Sequence, residues 1–190
     1  MPTLTKIGRA DIAYSLLLQH DNPSWLYSVD QGATTIWERW NSYTIEKGFG
    51  DVGMNSFNHY AYGAVAGWMF DSMAGINYDT EQPGYKRIIF APQPDDRIDT
   101  TASYDSAYGL ITAKSTVNGK NWTYECYLPA NTTAEIQLPI GENGSCTVNG
   151  KDITALTLDK DGIEYVQTID GTAYFEAVSG SYQFTATISE

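Results

Sequence analysis

Basic side chains are scarce in this chain. Lys and Arg total 11 against 23 Asp and Glu, which leaves a formal net charge of −12 at pH 7. Such a surface repels a phosphodiester backbone, so nucleic acid is not an expected partner. The acids are spread along the chain and form no tail, the pattern of a solvated, soluble surface. Sulfur is scarce too. Cys126 and Cys146 lie in strand-like segments far from the two histidines, His20 and His59. No metal site is therefore expected, and both cysteines read as buried thiols, with a disulfide the lesser option. No run of about 18 apolar residues occurs, so no membrane span is expected. The opening residues, MPTLTKIGRADIAY, hold no apolar signal core. The compartment stays open between cytoplasm and periplasm. Phosphate-cradling glycine loops and a G-x-S-x-G nucleophile elbow are also missing.

What is present has globular composition, with 42% hydrophobic and 18% charged residues. The length of 190 residues suits one ordinary domain or two small ones. The character of the chain changes near Gln82-Pro83-Gly84, which divides a helical part, 1–82, from a β part, 83–190. Ile12, Leu16 and Leu17, with Ala13 beside them, recur at helical spacing and predict a helix over Gly8–Gln19. His20, just beyond it, reads as a helix-end residue. A second helix is expected over about Asn58–Ala74, with Tyr62, Val65, Ala66, Met69, Phe70 and Met73 on one face and Gly75 as its stop. Two helices cannot bury that much apolar surface alone, so this part calls for further helices.

Downstream, RIIFAP, AYGLITAKSTV, NWTYECYLP, TTAEIQLP, SCTVN, GIEYVQTI, TAYFEAV and SYQFTATI are short, β-branched or aromatic, and separated by turns. Val117-Asn118-Gly119-Lys120, Asp170-Gly171 and Ser179-Gly180 mark reversals. About eight such strands predict an antiparallel β-sandwich, so the fold class is α+β in two parts.

Two segments carry candidate chemistry. In Trp37-Glu38-Arg39-Trp40 a carboxylate stands between two indoles, with Trp25, Tyr27, Tyr43 and Phe49 nearby in sequence. Sugar rings stack apolar faces on aromatic rings and offer hydroxyls to carboxylates, amides and imidazoles. Glycosidases also need carboxylic side chains at the scissile bond, a role open to Glu38. Spacing alone equally allows Glu38 and Arg39 to be a surface pair and the tryptophans to be core. The second segment is Asn55-Ser56-Phe57-Asn58-His59-Tyr60, a polar cluster at a helix mouth. There Ser56 or Asn58 could cap the helix, and His59 could meet a sugar hydroxyl or serve structure only.

The runs PSWLYSVDQGATTIWERWNSYT (Pro23 to Thr44), GMNSFNHYAYGAVAGWMF (Gly53 to Phe70) and GYKRIIFAPQP (Gly84 to Pro94) resemble the bacterial α-L-rhamnosidase family. The resemblance spans essentially the whole chain and is closest over Leu4 to Pro94. It implies the terminal helices of an (α/α)6 catalytic barrel followed by a C-terminal β domain. It also implies removal of terminal α-L-rhamnose from glycosides or polysaccharides with inversion. In the family pattern Glu38 corresponds to the general base and His59 to a sugar contact, while Trp37 and Trp40 shape the pocket wall. The general acid belongs to an earlier acidic motif that this sequence does not contain. The expected partners are therefore a rhamnose-containing carbohydrate and the remainder of the barrel, with a second copy of the chain as another way to cover the helices. The chain alone is expected to be inactive. No cofactor or metal is implied for the step at Glu38, although calcium assists some family members in other domains. Two other readings compete: a non-catalytic carbohydrate-binding module and a β domain that binds nothing. For the first, Trp122 and Tyr124 share one strand face and Tyr127 lies opposite, although core filling is the simpler use of such rings.

Overall fold

A computed structural model describes residues 1–187. The chain forms two compact units, Met1–Trp68 and Met69–Glu190.

The first unit is built from short pieces. Helices α1 (Pro2–Lys6), α2 (Ala10–Leu18) and α3 (Trp25–Asp30) are followed by a small hairpin of β1 (Tyr43–Thr44) and β2 (Gly48–Phe49). A 3-10 turn, Ala61–Ala64, then runs into α4 (Val65–Trp68). Helix α2 is the helix read from the sequence, rotated from the expected face. Ala13, Tyr14 and Leu17 are buried, whereas Leu16 is 41% exposed. Tyr14 sets this rotation by packing edge-on against Trp68, with ring centroids 5.2 Å apart. The Trp68 indole in turn donates to Thr5 Oγ1 at 2.8 Å. Ser24 caps α3, its Oγ accepting the Tyr27 N–H at 2.9 Å, and so satisfies one orphan donor of the first turn. His20 pairs its Nδ1 with Asp30 Oδ2 at 2.6 Å and does not bond the carbonyls of the helix end.

The run expected as one α-helix over Asn58–Ala74 begins at Ala61 and changes its hydrogen bonding twice. It passes from 3-10 to α and then to a π turn, Met69–Ala74. Each change of pitch rotates the side chains that follow. The predicted common face is therefore not kept: Trp68 and Met73 are buried, while Met69 and Phe70 are each 40% exposed. Gly75 does stop the run, at φ +76. A Cβ there would fall 2.4 Å from the Pro92 nitrogen, so glycine is required for both reasons. Among the described residues no helix is long and apolar enough to cross a membrane.

The second unit is one nine-stranded sheet that doubles over its own core. After the π turn come β3 (Ile76–Tyr78), β4 (Arg87–Phe90), β5 (Thr100–Ser106), β6 (Gly109–Asn118), β7 (Asn121–Pro139), β8 (Ser145–Val148) and β9 (Lys151–Asp152). A 3-10 turn (Ile153–Ala155) and helix α5 (Leu158–Asp161) precede β10 (Ile163–Ile169) and β11 (Thr172–Thr187). Strands β7 and β11 run through both halves of the sheet. Residues 121–128 of β7 pair with 180–187 of β11, and residues 133–139 pair with 172–178. In the first half β6 flanks β7 and β8 flanks β11. In the second, β4 flanks β7 and β10 flanks β11.

Two sequence expectations change here. NWTYECYLP and TTAEIQLP form a single strand, as do TAYFEAV and SYQFTATI, because Ser179-Gly180 is a bulge and not a reversal. The register is also not wholly antiparallel: β4 lies parallel to β7, Arg87 opposite Thr133 and Phe90 opposite Ile136.

Alternation explains the core. Trp122, Tyr124, Cys126, Leu128, Ala134, Ile136 and Leu138 of β7 are all buried. On β11 the buried set is Ala173, Phe175 and Ala177, then Tyr182, Phe184 and Ala186. The extra residue at the bulge switches the parity, so both halves of β11 face the same core. Phe90 against Tyr124 (6.3 Å) and Phe175 against Phe184 (5.2 Å) join residues of the two halves. Cys126 and Cys146 are free and buried, on β7 and β8 with β11 between them. Burial raises both thiol pKa values, that of Cys146 to about 12.

Candidate functional site

The candidate residues all belong to the first unit, where two irregular segments lie side by side. The N–H of Glu38 donates to the Ser56 carbonyl at 2.9 Å, and the N–H of His59 donates to the Ile36 carbonyl at 2.9 Å. Thr35 Oγ1 also donates to the Phe57 carbonyl. Segment 35–38 therefore runs antiparallel to segment 56–59, without the length needed for a regular strand. Alternation in such a pairing puts neighbouring side chains on opposite faces. Trp37 points inward, 7% exposed, with edge contacts to Phe57 at 5.5 Å and Tyr43 at 6.5 Å. Glu38 is half-buried.

The carboxylate of Glu38 is held by the backbone. The Ser56 N–H donates to Glu38 Oε2 at 2.7 Å, a charge-assisted bond short for an N–H donor. Among the described residues Glu38 makes no ion pair with Arg39. The Arg39 N–H bonds Ser42 Oγ at 3.2 Å instead. Buried Ser42 ties the neighbourhood together: its carbonyl accepts the Gly50 N–H at 2.8 Å and Asn55 Nδ2 at 2.9 Å. Asn55 Oδ1 is buried with no hydrogen-bond partner among the described residues. A buried acceptor without a donor is costly, by about 1–3 kcal/mol, so this oxygen is suited to a donor supplied from elsewhere.

His59 is half-buried, its ring parallel to that of Tyr60 at a centroid distance of 5.4 Å. Its Nδ1 accepts the Ala61 N–H at 3.3 Å. The helix mouth is thus served by His59. Neither Ser56 nor Asn58 caps it, since Ser56 Oγ is turned to the Asn58 N–H at 3.1 Å.

Trp40 stacks on Tyr62 with centroids 3.8 Å apart and meets Trp25 edge-on at 5.2 Å. The Trp25 indole donates to the Tyr62 carbonyl at 2.9 Å. These rings and Trp37 line an open hollow of about 350 Å³ together with Val29, Ile36 and small residues of 33–35. Glu38 and His59 do not line it. The structure therefore brings Glu38 and His59 onto one paired element and gathers Trp37 and Trp40 around an adjacent hollow. Sequence reading did not single out the Ser56 backbone or Tyr62. Main-chain donors carry no residue signature, and the Trp40–Tyr62 stack depends on a chain reversal that periodicity does not report. No group of three or more His, Cys, Asp or Glu suited to a metal occurs among the described residues.

In the second unit Arg87 is gripped by Glu176 (2.7 Å), Glu135 (3.1 Å) and Asp79 (3.4 Å). The hydrogen bond to Glu176 is the main cause of its raised pKa. This fork fastens β4, β7 and β11 together. Trp122 and Tyr124 serve the core, their polar atoms bonded to Ser115 Oγ and the Ala74 carbonyl at 2.9 Å each.

Residues 1–73 match the family model of the bacterial alpha-L-rhamnosidase 6 hairpin glycosidase domain. Residues 75–152 match that of the bacterial alpha-L-rhamnosidase C-terminal domain. The chain is 38% identical to an alpha-L-rhamnosidase of Formosa agariphila, covering 98% of this chain and 20% of that protein. It is 37% identical to an alpha-L-rhamnosidase of Streptomyces avermitilis, covering 97% of this chain and 17% of the relative. Among solved structures, the Streptomyces avermitilis enzyme complexed with L-rhamnose superposes with a TM-score of 0.78 at 36% identity, over 97% of this chain and 17% of that one. The alpha-L-rhamnosidase from Dictyoglumus thermophilum gives 0.78 at 27% identity, over 97% and 20%. The chain spans a fifth or less of the length of these proteins.

Proposed function

The chain belongs to the bacterial α-L-rhamnosidase family, and from that premise we propose that it carries the general-base side of an inverting α-L-rhamnosidase site. Glu38 is the base and His59 a contact to the sugar, with Trp37 and Trp40 forming the pocket wall. The first unit supplies terminal helices of an (α/α)6 barrel, and the second a C-terminal β-sandwich. The substrate is a glycoside or polysaccharide ending in α-L-rhamnose.

The observation that carries this reading is the hold on Glu38. One carboxylate oxygen, Oε2, is fixed by the Ser56 N–H at 2.7 Å, while Oε1 has no donor among the described residues. A carboxylate with one oxygen anchored and the other open can orient a water and take its proton as that water attacks the anomeric carbon. The pairing of 35–38 with 56–59 fixes His59 on the same element. Inversion further requires a carboxylic acid about 6.5–9.5 Å from the base to protonate the leaving oxygen. In this reading that acid comes from outside these 190 residues. The partner that completes the site is the remainder of the barrel, with a second copy of the chain as the alternative cover. The chain alone is inactive.

Hydrolysis of an aryl α-L-rhamnoside tests each part. The chain alone and its Glu38→Gln variant are expected to show the same background. Joined to the preceding barrel segments of a relative, the chain should gain turnover, and Glu38→Gln should remove at least about a hundredfold of it. Turnover by the chain alone that disappears in Glu38→Gln would overturn the incompleteness and keep the base. Turnover of the joined protein that survives Glu38→Gln would overturn the base.

A further inference from the structure

The outer face of the first half of the sheet is largely polar, and its side chains lie outside the core. Register places its side chains in rows across the strands. One row is Thr101, Lys114, Glu125 and Gln183; the next is Ser103, Thr112, Tyr127 and Ser181. A hollow of about 340 Å³ crosses these rows, extending to Asn149, whose Oδ1 accepts the Gln183 N–H at 2.9 Å. Lys114 and Glu125 face each other at 3.9 Å, so the charged groups of the hollow cancel.

Two tyrosines line this hollow, buried Tyr182 and exposed Tyr127. Tyr127 is the one a ligand can reach. It is 39% exposed, and its cross-strand neighbours are the short residues Thr112 and Ser181. Its ring makes no aromatic contact and its hydroxyl no hydrogen bond among the described residues. Trp122 and Tyr124, on the same strand, have both. A bare ring flanked by hydroxyls, two amides and a neutralised ion pair suits a ligand with one apolar face and many hydroxyls. A strongly charged ligand finds no unbalanced counter-charge here, and the net charge of −12 disfavours polyanions further.

We propose that this groove is a carbohydrate-binding site for neutral oligosaccharides, separate from the Glu38 site and centred on stacking at Tyr127. It holds a glycan without cleaving it and does not depend on Glu38 being a general base.

The test is calorimetric titration of the 190-residue chain with two probes, a rhamnose-terminated disaccharide glycoside and maltotriose. Saturable binding of at least one is expected. Tyr127→Ala should weaken it about tenfold, as loss of a stacked ring does, while Tyr127→Phe should stay within about threefold of the parent. Gln183→Ala should also weaken binding, and it keeps the proposal testable if Tyr127→Ala lowers the melting temperature. Maltotriose, which has no rhamnose for the Glu38 site, should lose affinity with Tyr127→Ala to the same extent whether or not a rhamnoside is present. Failure to bind either probe overturns the proposal, as does binding that survives both Tyr127→Ala and Gln183→Ala. Binding lost in Glu38→Gln and kept in Tyr127→Ala would also overturn it, because the sugar would then sit at the first unit's site.

Discussion

Within the first unit the buried apolar side chains are Ala13, Tyr14, Leu17, Trp37 and Trp68, five in all, whereas the described part of the second unit buries twenty-five. The first unit also leaves Ile7, Val29, Ile45, Phe49, Val52, Met54 and Tyr60 more than half exposed. The two regions have similar shares of apolar residues and use them differently. A sheet that doubles on itself supplies both walls of its own core. Short helices and irregular segments, each with one apolar side, do not. The first unit therefore depends on a few aromatic contacts, such as Trp68 on Tyr14 and Trp40 on Tyr62.

The largest expected effect strikes the self-sufficient side of this comparison. Phe175 is fully buried and touches residues of both sheet halves. Phe175→Ala should remove about 3–5 kcal/mol from unfolding of the second unit, read by denaturant titration. A loss under 1 kcal/mol would mean that the core is looser than its packing indicates.

Alkaline pH should separate the units next. Burial raises the Cys146 thiol from 9.0 to about 12 and raises Cys126 as well. The folded state keeps these thiols protonated while the unfolded chain ionises them. Their contribution to stability is thus whole below pH 9 and is lost as pH climbs toward 12. Between pH 9 and 10 Cys146 alone should account for roughly 1 kcal/mol. Thiol alkylation followed by mass spectrometry gives the same information at neutral pH. Both cysteines should resist reagent in the native chain, and a Trp68→Ala variant should leave that protection unchanged.

Smaller effects probe the first unit. Ser24→Ala removes the cap of α3 and should lower its stability by about 1 kcal/mol, seen in amide exchange of 25–30. Asp30→Asn breaks the exposed pair with His20 and should change stability by less than about 0.5 kcal/mol in a thermal melt. A larger drop would show that this pair fastens α2 to α3.

Period and turn chemistry made the second unit the more legible in sequence. Asn118-Gly119 and Asp170-Gly171 do close hairpins, and Gly119, Asp170 and Gly171 take positive φ. Strand β5 escaped notice because TTASYDS is polar and buries no residue fully. The parallel β4–β7 pair was not readable, since two strands far apart in sequence leave no mark of their relative direction. In the first unit the resemblance singled out Glu38 and His59. Residue pattern alone left Glu38 as plausibly a surface charge as a reactive group. The Ser56 N–H on Glu38 Oε2, a main-chain bond across 18 positions, is a feature that no spacing rule reports.

The bulge at Ser179 has a consequence for insertions and deletions. Five steps separate buried Ala177 from buried Tyr182, an odd number that a straight ribbon cannot accommodate without turning one end inside out. Deleting Ser179 makes the count even, and β11 could then run flat with its apolar residues still on one side. Strand β7 crosses the same corner in eight steps, Cys126 to Ala134, with no change of parity, so the bend does not rest on Ser179 alone. In the bent sheet the extra residue sets which side of β11 meets the core: deleting it would force one half to slip by a residue against β7 or turn its apolar side chains outward.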